Sequence, residues 1–192
     1  AAAAAGCKTA AFYNWEQLRD LSDPGALDRS IYLNNCYDPD GDGELARVAA
    51  DFLAQGCEGF TFVYLGYTDV AGHESGWMSA PYLAAIGRAD QAIGRILAVL
   101  DEQTLLVVTS DHGGHAQTHG TEMDEDMTIP WIACGSGVPA GHALETPVSI
   151  IDNPPTIATA LGMDVEERYH PKGSGRPSFV GGRGKPIMDL LG

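Results

Sequence analysis

"GFTFVYLGYTDVAGHESG", Gly59–Gly76, is the stretch that decides how this chain folds. An apolar run, Gly59–Leu65, leads straight into a polar segment that carries Asp69 and His73. A strand without polar alternation is covered on both faces, as in a parallel sheet between helices. "TLLVVTSDHGGHAQTHG", Thr104–Gly120, has the same plan: an apolar strand, then Asp111 and His112, then His115 and His119 among glycines. In open α/β sheets ligands gather beyond the carboxyl ends of the strands. Two strands that each run into an Asp and a His are therefore expected to bring them to one place.

Working outward, strand and helix signals alternate. Lys8–Tyr13, Ser30–Leu33, Gly59–Leu65, Thr104–Thr109 and Ile129–Cys134 read as strands, and Trp15–Leu21, Glu44–Gln55, Ser79–Leu100 and Pro155–Leu161 as helices. The longest helix has Tyr82, Leu83, Ile86, Ala89, Ile93, Ile96, Leu97 and Leu100 at three-four spacing, which predicts an apolar face. Ser79 is its expected N-cap, with Pro81 in the first turn. Alternating elements predict an α/β layered domain over 1–192. From Arg168, "RYHPKGSGRPSFVGGRGKP" reads as an irregular tail over 168–192.

Composition narrows the function. The 192 residues, 44% of them hydrophobic, suffice for one substantial core. A formal charge of −15 argues against nucleic-acid binding through phosphates, and no apolar run spans a bilayer. No signal peptide opens the chain, and the four cysteines (Cys7, Cys36, Cys57, Cys134) lack CxxC spacing, which predicts reduced thiols in a cytoplasmic protein. The opening "AAAAAGC" reads as the end of a helix with Gly6 as its cap. A domain seldom begins in mid-helix, so these residues are expected to be the C-terminal part of a larger catalytic domain.

The polar segments carry metal-ligand chemistry. Asp69 and His73, four apart, share a face if the segment turns helically, and can grip one ion. Asp111 and His112 are adjacent and meet one ion only from a sharp turn, which Gly113 and Gly114 permit. Mixed carboxylate and imidazole ligands suit zinc, with manganese as an alternative. "DPDGDGELARVA", Asp38–Ala49, imitates the start of a calcium-binding EF-hand loop but ends in Ala49 where a bidentate glutamate is needed. It is expected to be an acidic turn that caps the following helix.

"YTDVAGHESG", "SDHGGHAQTHG", "IPWIACGSGV" and "DNPPTIATALGM", in that order, resemble the alkaline phosphatase superfamily, and within it the type I phosphodiesterase/nucleotide pyrophosphatase branch. The resemblance implies a three-layer α/β/α fold with a mostly parallel central sheet, incomplete here at its N-terminus. It also implies two divalent metal ions, usually zinc, that clamp a phosphoryl group. Carried over, Asp69 and His73 resemble ligands of one ion and Asp111 and His112 ligands of the other. His119 is the expected third ligand of the first ion, with His170 as the alternative, while His115 is left without a direct metal role. The nucleophilic Thr or Ser and one Asp ligand belong upstream of Gly6, so this chain alone is expected to be inactive. The implied substrate is a small phosphate ester, with neither nucleic-acid polymer nor membrane as partner. Sulfatases and phosphomutases share the metal-binding half, and a non-catalytic metal-binding module is a further alternative. Tyr67, Trp77 and Tyr82 flank the first pair and are expected to serve packing.

Overall fold

The computed structural model describes residues 2–22, 24–56, 59–163 and 184–188. Most of the tail, with His170, lies outside the described residues, as does Cys57. Backbone contacts divide the chain into two units, Lys8–Asp101 with Ser110–Pro130, and Ala1–Cys7 with Glu102–Thr109 and Trp131–Gly192.

The larger unit is built on a parallel sheet of order β2–β1–β3, formed by β1 (Lys8–Tyr13), β2 (Arg29–Tyr32) and β3 (Gly59–Tyr64). Both ladders are parallel, with Phe12 beside Ile31 on one side and Val63 on the other. β1 is central, and Thr9 through Tyr13 are buried, as expected of a strand flanked on both sides in a parallel sheet. Helices α1 (Gly41–Leu53), α2 (Tyr67–Ser75) and α3 (Ala80–Leu97) complete the α/β architecture, and α3 packs against both α1 and α2. The core joins Ala10 and Phe12 of β1, Leu45, Ala46 and Ala49 of α1, and Ala92 and Ile96 of α3.

α3 is where the expected helix and the expected face part company. Ser79 accepts from the Tyr82 amide as predicted. The buried residues, however, are Ala85, Ala92 and Ile96, while Leu83, Ile86 and Leu97 are exposed. Alanine on both α1 and α3 lets the helices approach closely, so the small residues take the interface and displace the larger ones. α1 also begins three residues earlier than read, inside the acidic run. Asp38 accepts from the Asp40 amide in a tight turn. Asp42 turns inward instead and is buried, so the three aspartates do not line an EF-hand loop. Trp15–Leu21 is realised as a 3-10 helix, Glu16–Leu21.

In the smaller unit, β4 (Leu105–Thr109) and β5 (Trp131–Gly135) pair antiparallel, unlike the first sheet. A four-residue helix, α4 (Asp124–Met127), lies in the larger unit, and α5 (Asn153–Ala160) in the smaller. Around α5, Trp131 donates to Asn153, and the Ile187 amide donates to Thr156 Oγ1. Ala3–Ala5 form a single 3-10 turn that Gly6 closes with φ 82°. Cys7, Cys36 and Cys134 are free thiols, and burial pushes that of Cys36 up to about 11. No helix among the described residues is long and apolar enough to cross a membrane.

Leu45 is fully buried in the core. Leu45→Ala is expected to cost about 3 kcal/mol, read as a lower urea midpoint at an unchanged slope.

Candidate metal centre

The centre starts at the carboxyl end of the parallel sheet. β3 ends at Tyr64, and α2 opens at Tyr67 with amides that need acceptors. Gly66, the N-cap, has no side chain to supply one. Asp42 of α1 supplies it, accepting from the Gly66 amide at 3.0 Å and the Tyr67 amide at 3.2 Å. Asn14, just past β1, donates to Asp42 at 2.8 Å and accepts from the Gly66 amide at 3.1 Å. Burial pushes the Asp42 carboxyl up, while Asn14, the two amides and nearby Arg88 pull it back. A buried carboxylate at a helix N-terminus also meets the positive end of the helix dipole. Nothing in the sequence marked this pairing, because Asp42 lies in an acidic run that reads as surface.

With α2 helical, Asp69 and His73 share one face, and His73 Nε2 lies 3.5 Å from Asp69 Oδ1. The segment after β4 brings two more imidazoles to the same oxygen. His119 Nε2 is 3.7 Å and His112 Nε2 3.8 Å from Asp69 Oδ1, and His112 Nε2 is 3.7 Å from Asp111 Oδ2. The rings of His112 and His119 stack at 3.7 Å. All five expected ligands therefore lie together, with His112 within reach of both aspartates.

The other ring nitrogens decide which atoms face inward. His73 Nδ1 meets the Gln117 carbonyl at 3.0 Å, and His112 Nδ1 meets the Gly113 carbonyl at 2.7 Å. A carbonyl only accepts, so both Nδ1 atoms donate, and in the neutral ring the lone pair is left on Nε2. Nitrogen lone pairs therefore point at a carboxylate oxygen that itself only accepts. Asp69 Oδ1 is buried and has no hydrogen-bond partner. Separations of 3.5–3.8 Å are too long for hydrogen bonds. They suit ligands around a common cation, since tetrahedral bonds of about 2.0–2.2 Å place ligand atoms roughly 3.3–3.6 Å apart. Asp69, His73 and His119 form a group able to hold a metal ion. Metal-bound histidines fix their second nitrogen on carbonyls in just this way.

Long-range contacts lock α2 to the histidine segment. Trp77 donates its amide to the Ala116 carbonyl at 2.7 Å, and Gln117 donates its side chain to the Glu74 carbonyl at 2.8 Å. The Trp77 indole meets His73 and His119 by its ring contacts. A Cβ at Gly114 would lie 2.2 Å from the indole, and one at Gly72 2.8 Å from it. These two glycines, spaced 42 positions apart in the sequence, thus make room for the wall behind the ligands. Met78 and Ala116 adopt positive φ, 63° and 45°, on either side of this junction. Such strain in non-glycine residues concentrates at functional sites.

His115 turns away from the ligands. Its Nδ1 lies 2.8 Å from Asp126 Oδ1, and the pair holds the Asp126 carboxyl down to about 2. Asp126 lies in the acidic run "EMDEDM", where nothing local distinguishes it from its neighbours. Tyr64 keeps its proton, raised by burial and then by the Asp111 and Asp69 carboxylates.

The family model for type I phosphodiesterase/nucleotide pyrophosphatase matches residues 3–133, which include every candidate ligand in the described segments. A phosphopentomutase of Deinococcus radiodurans is 32% identical over 126 residues, 65% of this chain and 31% of that protein. A sulfatase of Metarhizium majus is 32% identical over 99 residues, 45% of this chain and 23% of that protein. The chain spans less than a third of the length of these relatives. A crystal structure of phosphoglycerate mutase from Leishmania mexicana, determined at low cobalt concentration, matches 92% of this chain and 38% of that one with TM-score 0.59. At 14% identity this likeness shows a shared fold.

Two substitutions separate the supports of the centre. Asp42→Ala leaves the Asn14 side-chain donor and the Tyr67 amide without this acceptor and the Gly66 amide with Asn14 alone, and is expected to destabilise by about 3 kcal/mol in chemical denaturation. Gly114→Ala drives a methyl into Trp77 and is expected to cost about 1–3 kcal/mol, seen as a lower melting temperature.

Proposed function

The chain belongs to the type I phosphodiesterase/nucleotide pyrophosphatase family, and from that premise we propose that it forms the metal-binding part of a hydrolase of phosphate esters. The observation that carries the reading is the buried, unpartnered Asp69 Oδ1 with three imidazole Nε2 atoms turned on it. In this reading Asp69, His73 and His119 hold one divalent ion, zinc by the mixture of ligands, with manganese as the alternative. Asp111 and His112 hold a second. When bound, such a pair of ions offsets the charge of a transferring phosphoryl group and activates a hydroxyl nucleophile.

The chain's own residues do the rest. The Gln117 and Gly113 carbonyls hold His73 and His112 in the tautomer that presents Nε2 inward. Asp42 anchors the first turn of α2 and so sets where Asp69 stands. Trp77 backs the rings of His73 and His119 and keeps water from that side. Tyr64, protonated at neutral pH, can donate a hydrogen bond near the two aspartates. The nucleophilic Thr or Ser is assigned to an upstream part of the longer polypeptide, as the length of the relatives suggests. Hydrolysis is thus a property of that longer protein, and metal binding a property of this chain. A small phosphate ester is the substrate class.

The likeness to a sulfatase and a phosphopentomutase favours a second reading, in which the same ligands serve sulfate-ester cleavage or phosphate transfer within a sugar phosphate. A module that holds one structural ion without catalysis is the third.

Metal analysis of the purified chain is expected to give bound zinc or manganese that His73→Ala and His119→Ala remove. In the longer protein, hydrolysis of bis(p-nitrophenyl) phosphate is expected to fall at least about 100-fold in Asp69→Asn. Cleavage of p-nitrophenyl sulfate but of neither phosphate monoester nor diester would select the sulfatase reading. A chain that takes up no divalent metal ion would exclude all three readings.

A further inference from the structure

The segment Ser110–Pro130 carries His112 and His119 yet has almost no regular structure beyond the short α4. Left to its own entropy, a loop of this length would hold two ligands poorly. One residue outside the ligand set touches it at three points.

Asp126 uses its side chain and its backbone at once. Its carboxylate is buried, with the side chain only 2% exposed. Oδ1 accepts from His115 Nδ1 at 2.8 Å, and Oδ2 accepts from both the amide and the hydroxyl of Thr121 at 2.8 Å. Its backbone carbonyl accepts from the Gly113 amide at 2.8 Å, and the neighbouring Glu125 carbonyl accepts from the Gly114 amide at 2.9 Å. Gly113 directly follows His112, and residues 115 and 121 bracket His119, with Thr121 two positions beyond it. Between the brackets, His115 and Thr118 exchange both backbone hydrogen bonds, at 3.0 and 2.9 Å. Backbone bonds to Asp126 and Glu125 thus tie the loop just after His112, and the buried Asp126 carboxylate ties it on both sides of His119. A carboxylate suits this place because both of its oxygens only accept, and all three groups around it donate.

We propose that Asp126, acting through His115 and Thr121, is a positioning residue that sets His112 and His119 in their converging geometry before any ion arrives. The proposal rests on the metal-binding reading of the site. His115 then has a role that needs no contact with the ion: its Nδ1–H is the link by which Asp126 holds the middle of the loop. Partners of ligands commonly affect metal affinity about 10–100-fold when lost. That size is expected here, because the ordering of the loop would otherwise fall on the binding step.

The test is zinc affinity of the 192-residue chain, measured by competition with a chromophoric chelator, beside the melting temperature of each metal-free variant. Asp126→Asn leaves one oxygen for two sets of donors and turns an amide NH2 towards one of them. His115→Phe removes the link alone. Both are expected to weaken zinc binding by about 10–100-fold. Thr121→Ser keeps both donors and is expected to bind as the unaltered chain does. His115 is partly exposed, so His115→Phe carries the test if Asp126→Asn does not fold. Unchanged zinc affinity in folded Asp126→Asn or His115→Phe would overturn the positioning role and leave the metal site standing. Affinity that drops only in step with the unfolded fraction would also overturn it, reducing the pair to a structural one. An unaltered chain that binds no zinc, and no manganese in the same assay, would instead sink the metal reading from which the proposal starts.

Discussion

Three imidazole nitrogens, those of His73 and His112 oriented as acceptors, face one carboxylate oxygen across gaps too long for hydrogen bonds. Without a cation this is an electrostatic conflict in a partly buried place, and burial makes such conflicts costly. The rest of the larger unit can be understood as what is needed to hold it. α2 must be helical for Asp69 and His73 to share a face. The loop must be tied down for His112 and His119 to reach the same oxygen.

Helicity in α2 is not an intrinsic property of its sequence. "YTDVAGHES" contains glycine, β-branched residues and no N-cap side chain, so propensity favours it weakly. It forms because Asp42 and Asn14, from two other elements, supply the acceptors its first amides need. The buried carboxylate thus joins the end of β1, the start of α1 and the start of α2 at the carboxyl edge of the sheet. This is the edge where α/β proteins place their ligands, since loops there can vary while the strands beneath stay packed. Trp77 then joins α2 to the histidine loop, and the glycines that face it are needed for lack of space rather than for flexibility.

The strands are legible where apolar residues run together between turn residues, and β1 falls on the residues the pattern picks out. The ligand candidates were legible because Asp and His are rare in such density on glycine-rich sequence. Asp42 and Asp126 were not. Each lies among other acidic residues, and only tertiary contacts separate the buried carboxylate from its exposed neighbours. The face of α3 is legible only in part for a related reason: Ile96 is buried as its period predicts, whereas Leu83, Ile86 and Leu97 are exposed and the neighbouring elements take up Ala85 and Ala92. The antiparallel pairing of β4 with β5 was equally invisible, since an apolar pentapeptide carries no sign of its partner's direction.

By itself, the sequence determined that this is an α/β chain with a parallel sheet, and it marked Asp69, His73, Asp111, His112 and His119 as side chains of metal-ligating type. These follow from local properties, namely the period of hydrophobicity and the side-chain types themselves. Tertiary structure alone decided that four of those groups meet at one oxygen, that His112 stands within reach of both aspartates, and that His115 serves Asp126 instead. The reason is distance along the chain. His73 and Gln117 are separated by 44 positions, and no spacing rule operates over such a gap; only the packed fold brings a carbonyl to the one ring nitrogen that fixes which atom faces the site.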